Sequence, residues 1–314
     1  MHPSALLLVL VAAGIAGVRG HPAAAGTPAA RFWEEVLPGT PMPEAIAELV
    51  QEGIDRSPLK ERYAAPYFLP SACLGYTYQI TCGKPPPSEE AEAVTGLFFH
   101  EAQVRTGSVM TVSFPPAATP AILPRDVAEK VPFASVTDVL TTFNIPPRSA
   151  EAMQVRDTLR GCRAPPLAGE QKACATSLEG TVRSAMGMLG TTTSGKVWAA
   201  ASALPRDGLP RQEYVVSAVS PLDGDRHVAC HDEPYPYAVF QCHMTGRSST
   251  KAYMITLSGR SPAVTMAALC HRDTSNWNPA HPAFEMLGTQ PGGAPVCHFM
   301  PYANLVFGEK TGFH

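Results

Sequence analysis

Four times in the last third of this 314-residue chain a cysteine is followed at once by a histidine: Cys230-His231, Cys242-His243, Cys270-His271 and Cys297-His298. Ten residues separate the first two pairs, 26 the second and third, and 25 the third and fourth. Each pair falls at or near the end of a segment with strand character. Neighbouring residues of a strand point to opposite faces, so the cysteine and histidine of one pair are badly placed to grip the same ion. The expected division sends the sulfurs to one layer as disulfides and the imidazoles to the other face. Four imidazoles on common faces make either one four-nitrogen site or two sites of two, with His231, His243, His271 and His298 as candidate metal ligands. The rival reading is four ordinary polar residues flanking disulfides. Zinc-finger chemistry needs ligands two to five residues apart, and none of these spacings fits. All-nitrogen ligation beside oxidised sulfur suits Cu(II), with Zn(II) second.

The N-terminus bears on the sulfur chemistry. An apolar run over residues 5–17 is too short to span a bilayer, and Val18 and Gly20 are small enough for a cleavage site after Gly20. This reads as a secretory signal, followed by a mature chain with no apolar segment of membrane-spanning length. In an oxidising compartment the eight cysteines favour four disulfides, formed among Cys73, Cys82, Cys162, Cys174, Cys230, Cys242, Cys270 and Cys297. Eight cysteines allow about 105 pairings. Only Cys162–Cys174 is favoured by proximity, with eleven residues between the two and a predicted helix on either side.

Charged residues make up 16 % of the chain and the formal charge is -3, which gives no reason to expect nucleic acid as a partner. No Gly-x-Ser-x-Gly, His-Glu-x-x-His or Walker A motif competes for the chemistry. His100, His227 and His281 read as surface or satisfied core residues. Asp225, Asp232, Glu233 and Asp273 read as solvated loop charges.

Along the chain, residues 21–31 are Ala/Gly/Pro-rich and read as flexible. A short helix is predicted over 43–51, with Ile46, Leu49, Val50 and Ile54 on one face. An aromatic stretch follows over 64–83, then a Pro-rich linker over 84–93. Helices are predicted over 136–143, 150–160 and 178–189, the last opened by a Thr176/Glu179 capping box. Strands are predicted over 97–99, 108–114, 214–219, 237–242, 252–257, 264–270 and 294–299. Short helices followed by a disulfide-stabilised, mainly antiparallel β part argue an α+β fold. The organisation is a signal at 1–20, an N-terminal segment at 21–95 and one domain at 96–310.

The spacing of the four Cys-His pairs resembles the signature of the plant BURP domain. The resemblance extends upstream through Phe98-Phe99, Cys162…Cys174 and Ala175-Thr176-Ser177-Leu178-Glu179. It also includes Phe32-Trp33, Leu37-Pro38 and Thr40-Pro41-Met42-Pro43 near the N-terminus. It implies a plant protein secreted to the apoplast or cell wall, with the vacuole as second location. The implied role is that of a non-catalytic wall or matrix protein in development or stress response, with a wall polymer or a wall enzyme such as polygalacturonase as partner. A second implication is a copper-dependent autocatalytic peptide cyclase that joins Tyr or Trp side chains within an N-terminal core peptide. Residues 21–95 hold no repeat, and their only aromatic-rich candidate runs over 67–82. A third is a copper-binding module without catalysis. Both copper readings assign His231, His243, His271 and His298 as the ligands.

Overall fold

The computed structural model describes residues 24–55, 96–245 and 250–310. The expected signal at 1–20, the aromatic stretch with Cys73 and Cys82, and the linker over 84–93 lie outside the described residues. The fold is α+β, with a few helices and two antiparallel sheets.

One sheet has six strands: β1 (Phe98–His100), β2 (Val109–Phe114), β5 (Leu209–Pro221), β8 (Thr250–Ser258), β9 (Val264–His271) and β10 (Val296–Phe299), in the order β1-β10-β9-β8-β5-β2. The other has five: β3 (Gln171–Ala175), β4 (Val197–Ala200), β6 (His227–Glu233), β7 (Val239–Met244) and β11 (Leu305–Glu309), in the order β3-β7-β6-β11-β4. The central strands β6, β7, β9 and β10 are almost wholly buried, because both of their faces are covered. A strand covered on both sides reads as a continuous apolar run rather than an alternation. The segment 264–270 has that character and reads as a strand, whereas His227, His231, Asp232 and Glu233 break the apolar run over 227–233 and hide it.

The helices follow their caps. Ser135 accepts from Asp138 N at the start of Val136–Thr142, and Ser149 from Ala152 N at the start of Ala150–Arg163. The helix Leu178–Met188 is capped by Ser177, which accepts from Gly180 N at 3.1 Å, one residue later than the predicted Thr176. The Cys162–Cys174 disulfide is present. It joins the last turn of the helix Ala150–Arg163 to strand β3, not two helices of a hairpin as the sequence suggested.

Residues 24–55 belong to the main core. Where flexibility was expected, a helix runs over Pro28–Val36, with Thr27 as N-cap and proline in the first turn, where its missing N–H costs nothing. A second helix follows over Glu44–Asp55. Trp33, Leu37, Ile46 and Leu49 are fully buried in the same cluster as Leu178, Val182, Phe99 and Phe299, whereas Ile54 is exposed. Trp33 also donates its indole N–H to Thr40 O at 2.8 Å. Polar ties reinforce the docking. Tyr302 donates to Glu48 at 2.6 Å, the Arg206 guanidinium forks onto the Glu52 carboxylate, and Ile122 N donates to Leu49 O. The backbones approach so closely that a Cβ on Gly53 would stand 1.8 Å from Ile122 O, which explains the glycine there.

Removing a buried tryptophan costs about 3–5 kcal/mol. Trp33→Ala is therefore expected to lower the urea midpoint of the whole protein in a single transition. An unchanged midpoint would show that the N-terminal helices dock without supporting the core.

Candidate functional site

Cys230 stands directly opposite Cys242 across β6 and β7, and Cys270 directly opposite Cys297 across β9 and β10. Each opposed pair is a disulfide. With the sulfurs joined on one face, strand alternation turns the next residue of every strand to the other. His231 and His243 emerge from the five-stranded sheet, His271 and His298 from the six-stranded one. The same faces carry Ala229, Ala267, Leu269 and Met300, at even spacings from the histidines, and these pack with Ala252 and Val306 in a small core of their own. The histidines lie at the margin of this inter-sheet layer.

The four rings form a closed circuit. Centroids are 5.4 Å apart for His231–His243, 5.4 Å for His231–His298, 5.4 Å for His271–His298 and 5.9 Å for His243–His271. Two of these contacts cross from one sheet to the other. All four side chains are buried, at 1–6 % exposure. The Nε2 atoms of His271 and His298 are 3.3 Å apart, close to the roughly 3.3 Å that separates two nitrogens at ~2.0 Å from one tetrahedral metal ion. Among the described residues no three or more His, Cys, Asp or Glu side chains are placed so as to hold a metal ion as they stand. The donor chemistry nevertheless fits a borderline-soft cation, since four imidazoles face one another and His231, His271 and His298 are held neutral.

That neutrality has physical causes. Burial drives His231 and His271 well below the usual imidazole range, and neighbouring imidazoles add to the effect. His298 falls to about 4, with burial opposed by a bond to the Phe299 carbonyl. Polar groups surround the cluster. His231 Nδ1 is 2.8 Å from Asn304 Oδ1, His298 Nδ1 is 3.1 Å from Phe299 O, and His243 Nδ1 is 3.4 Å from Glu170 Oε1. Trp277, almost fully buried, meets His271 edge-to-face at 5.0 Å and His281 at 4.9 Å, closing one flank.

Sequence reasoning missed this surround. Asp232 and Glu233 are not solvated loop charges. Asp232 accepts from Thr119 Oγ1 at 2.9 Å and from Asn304 Nδ2, and burial raises its pKa. Glu233 is 2 % exposed, and burial, aided by Asp232 and opposed by Lys172, pushes its carboxyl up to about 8. Both lie on the strand that carries His231, so their burial was implicit once 227–233 was a central strand. Glu170, Asn304 and Trp277 had no local signal. The remaining described histidines are satisfied. His281 Nδ1 caps the helix Pro282–Leu287 by accepting from Ala283 N, His227 bonds Thr250 and Asp223 O, and His100 bonds Leu287 O.

A pH dependence follows. His231, His271, His298, His281 (also near 4) and His227 all have folded pKa values below their ordinary 6.5. Their stability contribution is complete above 6.5 and is lost as pH falls towards the folded values. Glu233 acts oppositely: its contribution is present below 4.5 and is lost as pH rises through about 8. Between 4.5 and 6.5 five lowered histidines act against two raised carboxyls, and their number sets the expected direction. Unfolding free energy of the metal-free protein is expected to rise over that window and sag between 6.5 and 8, with the sag abolished in Glu233→Gln. Urea titrations across pH check this, and a flat profile would contradict the burial of these groups in neutral form.

The model for the BURP domain matches residues 97–309. The chain is 39 % identical to protein RAFTIN 1B of Triticum aestivum, over 98 % of this chain and 96 % of that protein. It is 49 % identical to BURP domain-containing protein 13 of Oryza sativa subsp. japonica, over 70 % of this chain and 54 % of that protein. It is 38 % identical to BURP domain protein RD22 of Arabidopsis thaliana, over 67 % of this chain and 55 % of that protein. The chain thus spans nearly the whole of the first and about half of each of the others.

Proposed function

Because the chain belongs to the BURP-domain family, we propose that it is a secreted, non-catalytic protein of the plant cell wall or extracellular matrix whose four imidazoles bind copper. The observation that carries the copper reading is the closed circuit of His231, His243, His271 and His298, buried between two sheets and held beside two cross-strand disulfides. Three disulfides among the described residues support an oxidising compartment, and the similar proteins come from wheat, rice and Arabidopsis. A role in development or stress response, through a wall polymer or a wall enzyme such as polygalacturonase, completes the proposal.

The chain's own part in binding is to present neutral nitrogens, exclude water and restrict ring motion. His231, His271 and His298, held neutral by burial, do not have to shed protons before they ligate. Bound copper would supply one-electron redox chemistry that no side chain here supplies.

Titration of the purified, metal-free protein with Cu(II) is expected to quench tryptophan fluorescence, because Trp277 touches His271, and to saturate at one ion per chain. His243→Ala and His298→Ala should each weaken binding at least ~10-fold, and Zn(II) should bind more weakly than Cu(II). Intact mass should be unchanged by copper and air. A loss of two hydrogens within residues 21–95 would replace this reading with the autocatalytic cyclase, and absence of any bound copper would remove both.

A further inference from the structure

We infer that Asn304, Glu170 and the Phe299 carbonyl are positioning groups that fix the tautomers of His231, His243 and His298, and that His271 alone carries the opposite tautomer before metal enters. The affinity arm of this inference rests on the proposed metal site; the tautomer arm does not.

The argument starts at Asn304. Its Nδ2 donates to Asp232 Oδ1 at 2.5 Å and to Tyr302 O at 3.1 Å. The Tyr302 backbone carbonyl can only accept, so the atom of Asn304 that faces it is the nitrogen. The amide orientation is therefore set by its partners and not by choice between look-alike atoms. Asn304 Oδ1 then faces His231 Nδ1 at 2.8 Å, and an amide oxygen can only accept. The proton of neutral His231 must sit on Nδ1, which leaves the lone pair on Nε2, the nitrogen farther from the backbone.

The same logic applies twice more. His298 Nδ1 faces the Phe299 carbonyl at 3.1 Å and must donate to it. His243 Nδ1 faces Glu170 Oε1 at 3.4 Å. Glu170 Oε2 accepts from Leu167 N at 2.8 Å, which leaves Oε1 as the oxygen that accepts from His243 Nδ1. Three rings thus expose Nε2 lone pairs. His271 Nε2 lies 3.3 Å from His298 Nε2. With His298 Nε2 already the acceptor, the proton between them belongs to His271 Nε2. Metal uptake through that nitrogen would then move one proton, at His271, and leave the other three rings as they stand.

The surrounding chain is built to hold Asn304. It sits on a buried turn in which Ala303 adopts a left-handed backbone (φ 63°), a conformation that costs a non-glycine residue energy. Asp232, which anchors Asn304, is itself held by Thr119. An outer partner of this kind orients the ring and raises its basicity, and its removal typically weakens metal binding 10–100-fold.

Long-range ¹⁵N–¹H correlation spectra of the metal-free, ¹⁵N-histidine-labelled protein test the tautomers directly. Among the four ring systems, three are expected as Nδ1–H and one, His271, as Nε2–H. Nε2–H on His231 or His298 in the wild-type protein would overturn the inference with no variant needed. Asn304→Ala should release His231 alone and Glu170→Ala His243 alone, whereas Glu170→Gln, whose amide oxygen still accepts, should keep His243 in place. Both alanine variants should bind Cu(II) about 10–100-fold more weakly, with Glu170→Gln much closer to wild type. If the tautomers match but wild type binds no copper, the proposed function fails while the tautomer assignment stands. Unaltered tautomers in both alanine variants would sink the assignment whatever copper does.

Discussion

Two disulfides between directly opposed residues of neighbouring strands are the constraint on which the rest of the site depends. Each joins a cysteine whose chain neighbour is a histidine, so closing the sulfurs on one face delivers two imidazoles to the other. The operation is performed once in each sheet. Packing the two sheets together then brings four rings into one circuit, although no two of the four dipeptides are closer than ten residues in sequence.

Burying this many polar groups works against folding. Four imidazoles, Glu170, Glu233 and the Asp232 carboxylate all leave water, and each unsatisfied or charged group removed from water costs free energy. The fold offsets that cost in three ways. Cross-links reduce the freedom of the unfolded chain, each worth on the order of 3 kcal/mol for loops of this length. The helices of residues 24–55 add Trp33, Leu37, Ile46 and Leu49 to the apolar core. His271 stacks on His243 and His298 and meets the edge of Trp277, replacing lost hydration with dispersion contacts.

The legible part of this design was local. Helix caps at Ser135 and Ser149, the alternation of Cys and His, and the proximity of Cys162 to Cys174 are all properties of a few adjacent residues, and all appear in the structure. The partition of each Cys-His pair follows from strand geometry alone. What failed to show in the sequence was long-range. Asn304 lies 73 residues from His231, which it contacts, and nothing in its surroundings marks it. Glu233 looks like a loop charge until it is paired with Val239 of β7 at the end of a buried central strand. Residues 21–31 look flexible by composition, yet Pro28 and Thr27 are good helix starters, and tertiary docking of Trp33 makes a short helix persist that would fray alone.

The cross-strand disulfides also act on errors. In a strand, slipping the pairing by one residue turns every side chain to the wrong face. Such a slip in β6–β7 or β9–β10 would send the imidazoles outward, and would equally set the sulfurs on opposite sides of the sheet, where they cannot join. Oxidation therefore completes only in the alignment that places the rings inside. Closing these two disulfides serves as an inspection step for nitrogen geometry, and a molecule in which both have formed has already had its four histidines counted in.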